Sequence, residues 1–482
     1  MNPSLQPQPL ALDISRRSFL ERSAYGLGSL ALAQLLGHAE LRAVEPQTAA
    51  SRGAVKSLHF PVTAKRIIHL CMAGGPSQCE SFDNKPELRK LDGQPFPESL
   101  TRGQQLAQLQ NSELRARGPC TDFRKFGQSG QEISELFPQI GGIADEICII
   151  RSMVTEQINH DPAQAFMNSG SILKGRPSMG SWLLYGLGAE TDELPGFIVL
   201  VSQGKGGGAQ PVSARQWSSG FLPGKFQGVQ FQSQGGAVHY IGNPDGVCQS
   251  TQRLVVEEIQ RQNGLLAQRQ SDPEIQTRIA QYEMAFRMQT SVPELTDFSQ
   301  EPQQMLDLYG VKQPGDGSFA SNCLLARRLA ERGVRFIQLY HRAWDHHSDI
   351  KTNMPLAAGE TDRPSAALIA DLRQRGMLDD TLVIWGGEFG RTPMGQGTGR
   401  DHHILAFSIW LAGGGIRGGL TYGSTDEFAY AAVENVVSMH DLHATLLYLC
   451  GIDHRRFSVK FLGLDSRLTG VEGANIIKAI VA

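Results

Sequence analysis

Apolar runs short enough to be strands recur along this chain, and each ends on glycine or a polar cluster. Arg66–Met72 runs into Gly-Gly-Pro-Ser. Ile147–Met153 is a second run, and Gly196–Ser202 lies between Pro195 and the glycine-rich Gly204–Gly208. Val334–Tyr340, Leu382–Trp385 and Phe407–Ala412 repeat the pattern. Runs that are apolar throughout belong to strands buried on both faces. Between them Pro162–Gly170, Ser178–Leu187, Ser318–Arg332, Arg363–Gly376 and His440–Cys450 read as helices, and Gly333 ends the third of these. Strand alternating with helix predicts an α/β fold, a three-layer α/β/α sandwich around a mostly parallel central sheet.

The remaining stretches do not follow this alternation. Residues 84–130 are polar and read as long loops with short helices. Residues 203–240, rich in Gly, Gln, Ser and aromatics, read as an irregular flap. Residues 251–290 carry two helical patterns, an excursion packed outside the sheet. No internal repeat is present, and a single domain over 60–482 is the simplest division. Ahead of it, Ser15-Arg-Arg-Ser-Phe-Leu20 precedes a weakly apolar stretch from Ala24 to Leu36. Paired arginines before a short apolar core are the pattern of a twin-arginine export signal, assigned here to residues 1–43. The stretch is too short and glycine-containing for a stable membrane span. This reading implies a periplasmic or other extracytoplasmic destination and the twin-arginine translocase as a partner. That route carries folded chains, which suits a protein that takes up metal before export.

Composition narrows the function. A net charge of −3 leaves no basic footprint for nucleic acid. The 7 cysteines form no CxxC pair, so a structural zinc ribbon is excluded. The histidines are the informative residues, since eight of the 13 fall between His341 and His454, interleaved with Asp and Glu. In a parallel sheet, ligands bind at the carboxyl ends of the strands. The Val334–Tyr340 strand leads into His341-Arg-Ala-Trp-Asp-His-His347, the Leu382–Trp385 strand into Gly386-Gly-Glu-Phe-Gly-Arg391, and Gly399-Arg-Asp-His-His403 precedes the Phe407 strand.

Imidazole with carboxylate suits a divalent metal, zinc first, with manganese, iron or calcium as alternatives. Asp345 and His347 share one side of an extended segment, and Glu388 and His402 complete the favoured ligand set. His346, His403 and Asp401 are candidates for orienting the ligands. His440 and His443, about one helical turn apart, suit either ligands or a helix entrance beside a polar cleft. Arg391, in a Gly-flanked turn, and Arg215, in the flap, could clamp a substrate oxyanion. No GxSxG elbow and no GxxxxGK[ST] loop exists.

Nine stretches together resemble a family of twin-arginine-exported proteins of unknown function within the alkaline phosphatase and sulfatase superfamily. They are Gly74-Gly-Pro-Ser77 with Ser81-Phe-Asp83; Phe126-Gly-Gln-Ser-Gly130; Asn159-His-Asp-Pro162; Arg176-Pro-Ser-Met-Gly-Ser-Trp182; Ala214-Arg-Gln-Trp-Ser-Ser-Gly-Phe-Leu222; Trp344-Asp-His-His347; Gly387-Glu-Phe-Gly-Arg-Thr-Pro393; Gly399-Arg-Asp-His402; and Asp441-Leu-His-Ala-Thr-Leu-Leu447. The resemblance implies an alkaline-phosphatase-like fold. It implies a first-strand carboxylate from Glu80 or Asp83, metal ligands at Asp345, His347 and His402, and Glu388 where an Asp-His pair would stand. His160, ahead of Asp161-Pro162 and Gly170, occupies the nucleophile position.

One ligand histidine and the Ser, Thr or Cys nucleophile of that pattern are missing, so a two-metal site is reduced here to one. The implied function is an exported metal-dependent hydrolase of sulfate, phosphate or related esters, small or polysaccharide, working through a metal-activated water. The alternative is a non-catalytic metal-binding or assembly protein on the same fold. His160 stands at a helix entrance, where the positive helix end lowers its pKa and keeps it neutral, fit to serve as ligand, base or nucleophile.

Overall fold

The apolar runs pair side by side in a computed structural model that describes residues 53–233, 246–269, 273–471 and 473–482. The twin-arginine segment and its cleavage region lie outside the described residues. The strands are β1 (Arg66–Met72), β2 (Ile147–Val154), β3 (Phe197–Ser202), β4 (Val229–Gln230), β5 (Phe336–His341), β6 (Thr381–Gly386), β7 (Gly390–Gln396), β8 (Gly399–His403), β9 (Phe407–Ala412), β10 (Leu420–Tyr422), β11 (Val437–Ser438), β12 (Val459–Phe461) and β13 (Leu464–Ser466). One nine-stranded sheet has the order β10-β2-β9-β6-β1-β5-β3-β4, with β11 also pairing β2. Every pairing in it is parallel except those of β9, which runs antiparallel to both β2 and β6. The fold is thus α/β with a mostly parallel sheet, as the pattern of apolar runs indicates.

Successive residues of a strand point to opposite faces, and two cores follow from that. Ile68, Leu70, Ile337, Leu339 and Val383 pack on one side. There they meet Leu324 and Leu329 of the helix Phe319–Glu331 and Ile369 and Leu372 of the helix Ile350–Gln374. Ile67, Val199, Phe336, Leu382 and Ile384 face the other way, against Phe166, Trp182, Leu183, Leu442 and Leu446.

The helices that carry the argument are α1 (His160–Ser169), α2 (Met179–Leu187), α3 (Gln249–Arg269), α4 (Pro273–Thr296), α5 (Phe319–Glu331), α6 (Ile350–Gln374) and α7 (Met439–Leu449). Ser318 caps α5 by accepting from Ser321 N at 3.2 Å. Ser438 and Asp441 form a reciprocal capping box at the start of α7. The expected helix Arg363–Gly376 is only the second half of α6, which runs unbroken through Pro355 and Pro364. The expected excursion appears as α3 and α4, and the described part of the flap holds short 3-10 turns at Ala214–Trp217 and Gly224–Phe226. No helix among the described residues is long and apolar enough to cross a membrane.

Candidate metal centre

Three neighbouring strand ends stand level at the carboxyl edge of the sheet. Met72 of β1 pairs with His341 of β5, and Cys71 pairs with Gly386 of β6. Just beyond, Gly74 takes a φ of 122°, and a Cβ there would lie 2.5 Å from Asp345 N. Only glycine lets the β1 loop pass so close. Gly74 N donates to Glu388 Oε1 at 3.0 Å, which fixes the β6 loop against the β1 loop. β2 ends on the same edge, and α1 begins soon after it with His160. The hairpin of β7 and β8 folds back over this edge with His402.

Four side chains meet there, and their donor atoms lie within 4.8 Å of one another: His160, Asp345, His347 and His402. Asp345 Oδ1 is the hub, 3.3 Å from His160 Nε2, 2.9 Å from His347 Nε2 and 3.4 Å from His402 Nε2. The other nitrogen of each ring is already committed. His160 Nδ1 lies 2.8 Å from Glu388 Oε1, His402 Nδ1 lies 2.7 Å from Ile158 O, and His347 Nδ1 bonds Gln396 Oε1. Each of these partners is an acceptor, so each Nδ1 is an N–H, and in the neutral ring each Nε2 is left to carry the lone pair. Asp345 is anchored as well, because Gln210 Nε2 donates to its second oxygen, Oδ2, at 2.5 Å. Phe389 lies beside the rings of His160 and His402, with centroids 4.9 and 4.6 Å away.

Neutral imidazoles aimed at one carboxylate oxygen leave room for a shared cation, either a proton on a ring or a metal ion. The spacing fits a metal. Ligand atoms about 2.0–2.1 Å from a tetrahedral zinc ion stand about 3.3 Å apart, and the three Asp345 separations fall near that value. His160 Nε2 is buried and lacks a hydrogen bond of acceptable geometry, as expected of an atom oriented for a different partner. The donor set of three imidazoles and one carboxylate therefore fits a divalent transition metal.

The same contacts govern the titration. Burial lowers the pKa of His160, but the adjoining carboxylates of Asp345 and Glu388 outweigh it and carry the value above the ordinary imidazole range. The expectation that the helix end keeps this ring neutral is thus reversed by two carboxylates in direct contact. Asp345 is held well below the usual carboxylate range. Burial pushes it up, but bonds from His160, His347 and His402 and the Arg391 charge prevail. His402 is lowered, chiefly by burial.

The other expected residues fall into different settings. Glu388 reaches the cluster only through His160. Its carboxylate accepts from Gly74 N and from Gln164 Nε2 at 3.3 Å, so it fixes the ring of His160 and stands outside the four-residue cluster. Asp83 is not brought to the site. It is fully buried, with its pKa raised by burial, and it pairs with Lys85 at 3.2 Å and with Thr425. Glu80 pairs with Arg400 at 2.6 Å, both completely buried.

Arg391 does not present an open guanidinium to a substrate. It is fully buried beneath the cluster, donating to Gly75 O at 3.0 Å, to Gly74 O, and to Asp345 Oδ1 at 2.6 Å. Arg215 stands at the start of α1, where it meets Asp161 Oδ2 at 3.0 Å and keeps partial exposure beside His160. His440 and His443 bond Gly170 O and Met167 O at the far end of α1. His346 is buried with its pKa pushed down to about 3, His403 bonds Tyr430 O, and Asp401 accepts from Gln108 N and Leu109 N. Gln210 and Gln396 were not anticipated, because a glutamine in a glycine-rich loop carries no periodic or charge signal.

No similarity to a curated protein was found. Solved structures similar to this chain include a sulfatase from Pseudoalteromonas sp., at 12% identity and a TM-score of 0.32, over 81% of this chain and 68% of that one. The lipoteichoic acid synthase LtaP from Listeria monocytogenes matches at 10% identity and a TM-score of 0.34, over 85% and 75%. A phosphonate monoester hydrolase from Silicibacter pomeroyi matches at 13% identity and a TM-score of 0.28, over 65% and 68%. Likenesses this loose transfer no residue role. The family model described as "Protein of unknown function (DUF1501)" matches residues 64–481, and the chain belongs to that family.

Proposed function

We propose that this protein is an exported hydrolase of sulfate, phosphate or related esters that depends on one divalent metal. His160, Asp345, His347 and His402 would hold the ion. The observation that carries the proposal is the aim of the three imidazoles, each Nδ1 tied to an acceptor and each Nε2 turned to Asp345 Oδ1. Three nitrogens with one oxygen favour zinc, then manganese or iron, over calcium, which prefers all-oxygen sites. A bound ion would act as Lewis acid on the ester and make water a better nucleophile at neutral pH.

The chain's own residues supply the rest. Asp345, with Oδ2 held by Gln210, would offer a single oxygen to the ion. Glu388 would fix the ring of His160 and raise its basicity. Access would be from the His347 side, since that side chain is 24% exposed against 6% for His402. Arg215 would meet the ester anion beside the start of α1, at the expense of its contact with Asp161. Arg16-Arg17 supports passage through the twin-arginine translocase, and replacing both with lysine is expected to retain the protein inside the cell.

A specific observation favours the second reading, a non-catalytic metal-binding or assembly role. Four protein donors already complete a tetrahedron, as in structural zinc sites, whereas catalytic sites keep a position open. Metal analysis of the exported protein, followed by a panel of sulfate, phosphate and phosphonate esters, separates the two. Turnover that disappears on chelation and returns with zinc supports the hydrolase. One firmly bound metal with no turnover of any ester supports the second reading, and protein without metal refutes both.

A further inference from the structure

Two of the stretches that carry the family resemblance, Arg176–Trp182 and Ala214–Leu222, meet away from the metal centre. They line a cavity of about 170 Å³ at the far end of α1, closed on one side by the β12–β13 hairpin. With α1 running from His160 to Ser169, the two ends lie about 14 Å apart at 1.5 Å per residue. The cavity is therefore separate from the four-residue cluster.

Its lining combines two cations with an aromatic wall. Arg176 Nη1 donates to Ser466 Oγ at 3.2 Å, and its guanidinium lies 5.8 Å from the ring of Phe221. Arg467 also lines the cavity and is exposed. Neither arginine has a carboxylate partner within 4.0 Å among the described residues, whereas Arg215 at the start of α1 is paired with Asp161. Phe221 is held rigidly, stacked on Phe461 at 4.4 Å and edge-on to Trp182 at 5.9 Å. Among the described residues the one carboxylate on the rim is Asp465, which is exposed and stands in register with Lys460 across the hairpin.

The carbonyls at the end of α1 are also occupied. Ala165 O accepts from Ser169 Oγ, Phe166 O from Gly170 N, Met167 O from His443, and Gly170 O from His440. What remains on offer is two unpaired guanidinia beside a flat apolar ring. Guanidinium matches a tetrahedral oxyanion with paired N–H groups. The volume is below the roughly 300–1,000 Å³ of drug-sized sites, so it suits a single ring with its anion.

We infer that this cavity binds the oxyanion monoester of a ring-bearing alcohol, a sugar sulfate or sugar phosphate. The anion lies between Arg176 and Arg467, and the ring lies on Phe221. The inference is independent of turnover at the metal centre, so it is tested in the Asp345→Ala background, where that centre is disabled. Calorimetric titration with glucose 6-sulfate and glucose 6-phosphate is expected to give saturable binding at this one site, and the tighter of the two names the anion. Glucose and inorganic sulfate are each expected to bind at least tenfold more weakly than the ester. Arg467→Ala, an exposed position that leaves the fold untouched, should weaken the ester at least tenfold, and Arg176→Ala should do the same. Absence of binding by both esters overturns the inference. So does an unchanged affinity in Arg467→Ala, or inorganic sulfate binding as tightly as the ester, which would leave the aromatic wall without a role.

Discussion

Glu80 and Arg400 offer a strong test of how the hairpin that carries His402 is held. Both side chains are completely buried, with Arg400 Nη2 2.6 Å from Glu80 Oε1 and Nε 3.0 Å from Oε2. The guanidinium also donates to Arg117 O, Thr392 O and Gly118 O at 3.0–3.1 Å. The pair thus ties the β1 loop to β8, two residues before His402. Glu80→Gln keeps the shape and removes the charge, so it leaves a guanidinium buried with neutral acceptors alone. Breaking one half of such a pair costs about 3–5 kcal/mol. Arg400→Met leaves Glu80 buried with Ser77 Oγ and Cys120 N for partners, at a similar cost.

The double variant Glu80→Leu/Arg400→Met removes both charges and is expected to cost less than either single change. Guanidinium unfolding followed by tryptophan fluorescence reads this directly. With the large denaturant slope of a chain this long, the singles should shift the midpoint by a few tenths of a molar to about 1 M. A midpoint for Glu80→Gln within experimental error of wild type, or a double variant whose loss equals the sum of the singles, would refute the reasoning.

Metal content measured on purified Asp345→Ala and His402→Ala should fall well below the one ion per chain expected of the wild type. Their melting temperature should lose its rise on zinc addition, since only the native state would bind. Glu388→Gln should keep the fold but weaken metal affinity about 10–100-fold, the usual effect of losing a ligand's hydrogen-bond partner; an unchanged zinc dissociation constant would remove Glu388 from that role. Asp362 is raised to about 6 by burial, partly countered by the amides of Ile140 and Gln139. A raised carboxylate favours folding below its unfolded pKa and loses that contribution as pH rises through about 6. Unfolding measurements should therefore show Asp362→Ala to be more destabilising at pH 4.5 than at pH 7.5, by about 2 kcal/mol, and the opposite order would contradict the assignment.

Strands were the most legible part of the chain, because a fully buried parallel strand needs an unbroken apolar run. Phe407–Ala412 falls at its expected bounds for that reason. The first half of α6 was not legible, since Pro355 and Pro364 look like breaks in the sequence. The packing of α6 on α5 and on the sheet overrides the lost hydrogen bonds. At the site, the polar clusters after β5 and before β9 were readable as candidate ligands because glycine and strand ends bracket them. Their ordering into inner ligands and outer supports was not readable, since a carboxylate that touches a metal and one that touches a histidine look alike in sequence. Asp345 faces three imidazoles, whereas Glu388 is drawn to Gly74 N and touches only the ring of His160.

Arg391 shows why an arginine near a site is weak evidence for anion binding. A guanidinium has five donors and no acceptor, so a buried loop crossing rich in backbone carbonyls uses it as readily as a substrate would. Here the β1 loop turns Gly74 O and Gly75 O inward, and Arg391 satisfies both while it also holds Asp345 in place. Burial lowers its pKa and the Asp345 charge raises it again, so its positive charge is already engaged by the carboxylate at the centre of the cluster. Replacing Arg391 with lysine would keep that charge but supply three donors in place of five, leaving at least one loop carbonyl without its partner. The role of Arg391 is therefore to hold Asp345 between the loop carbonyls and the three imidazoles. Among the arginines near the four-residue cluster, that assignment leaves Arg215, partly exposed at the start of α1 and paired with Asp161, as the one proposed to meet an anion.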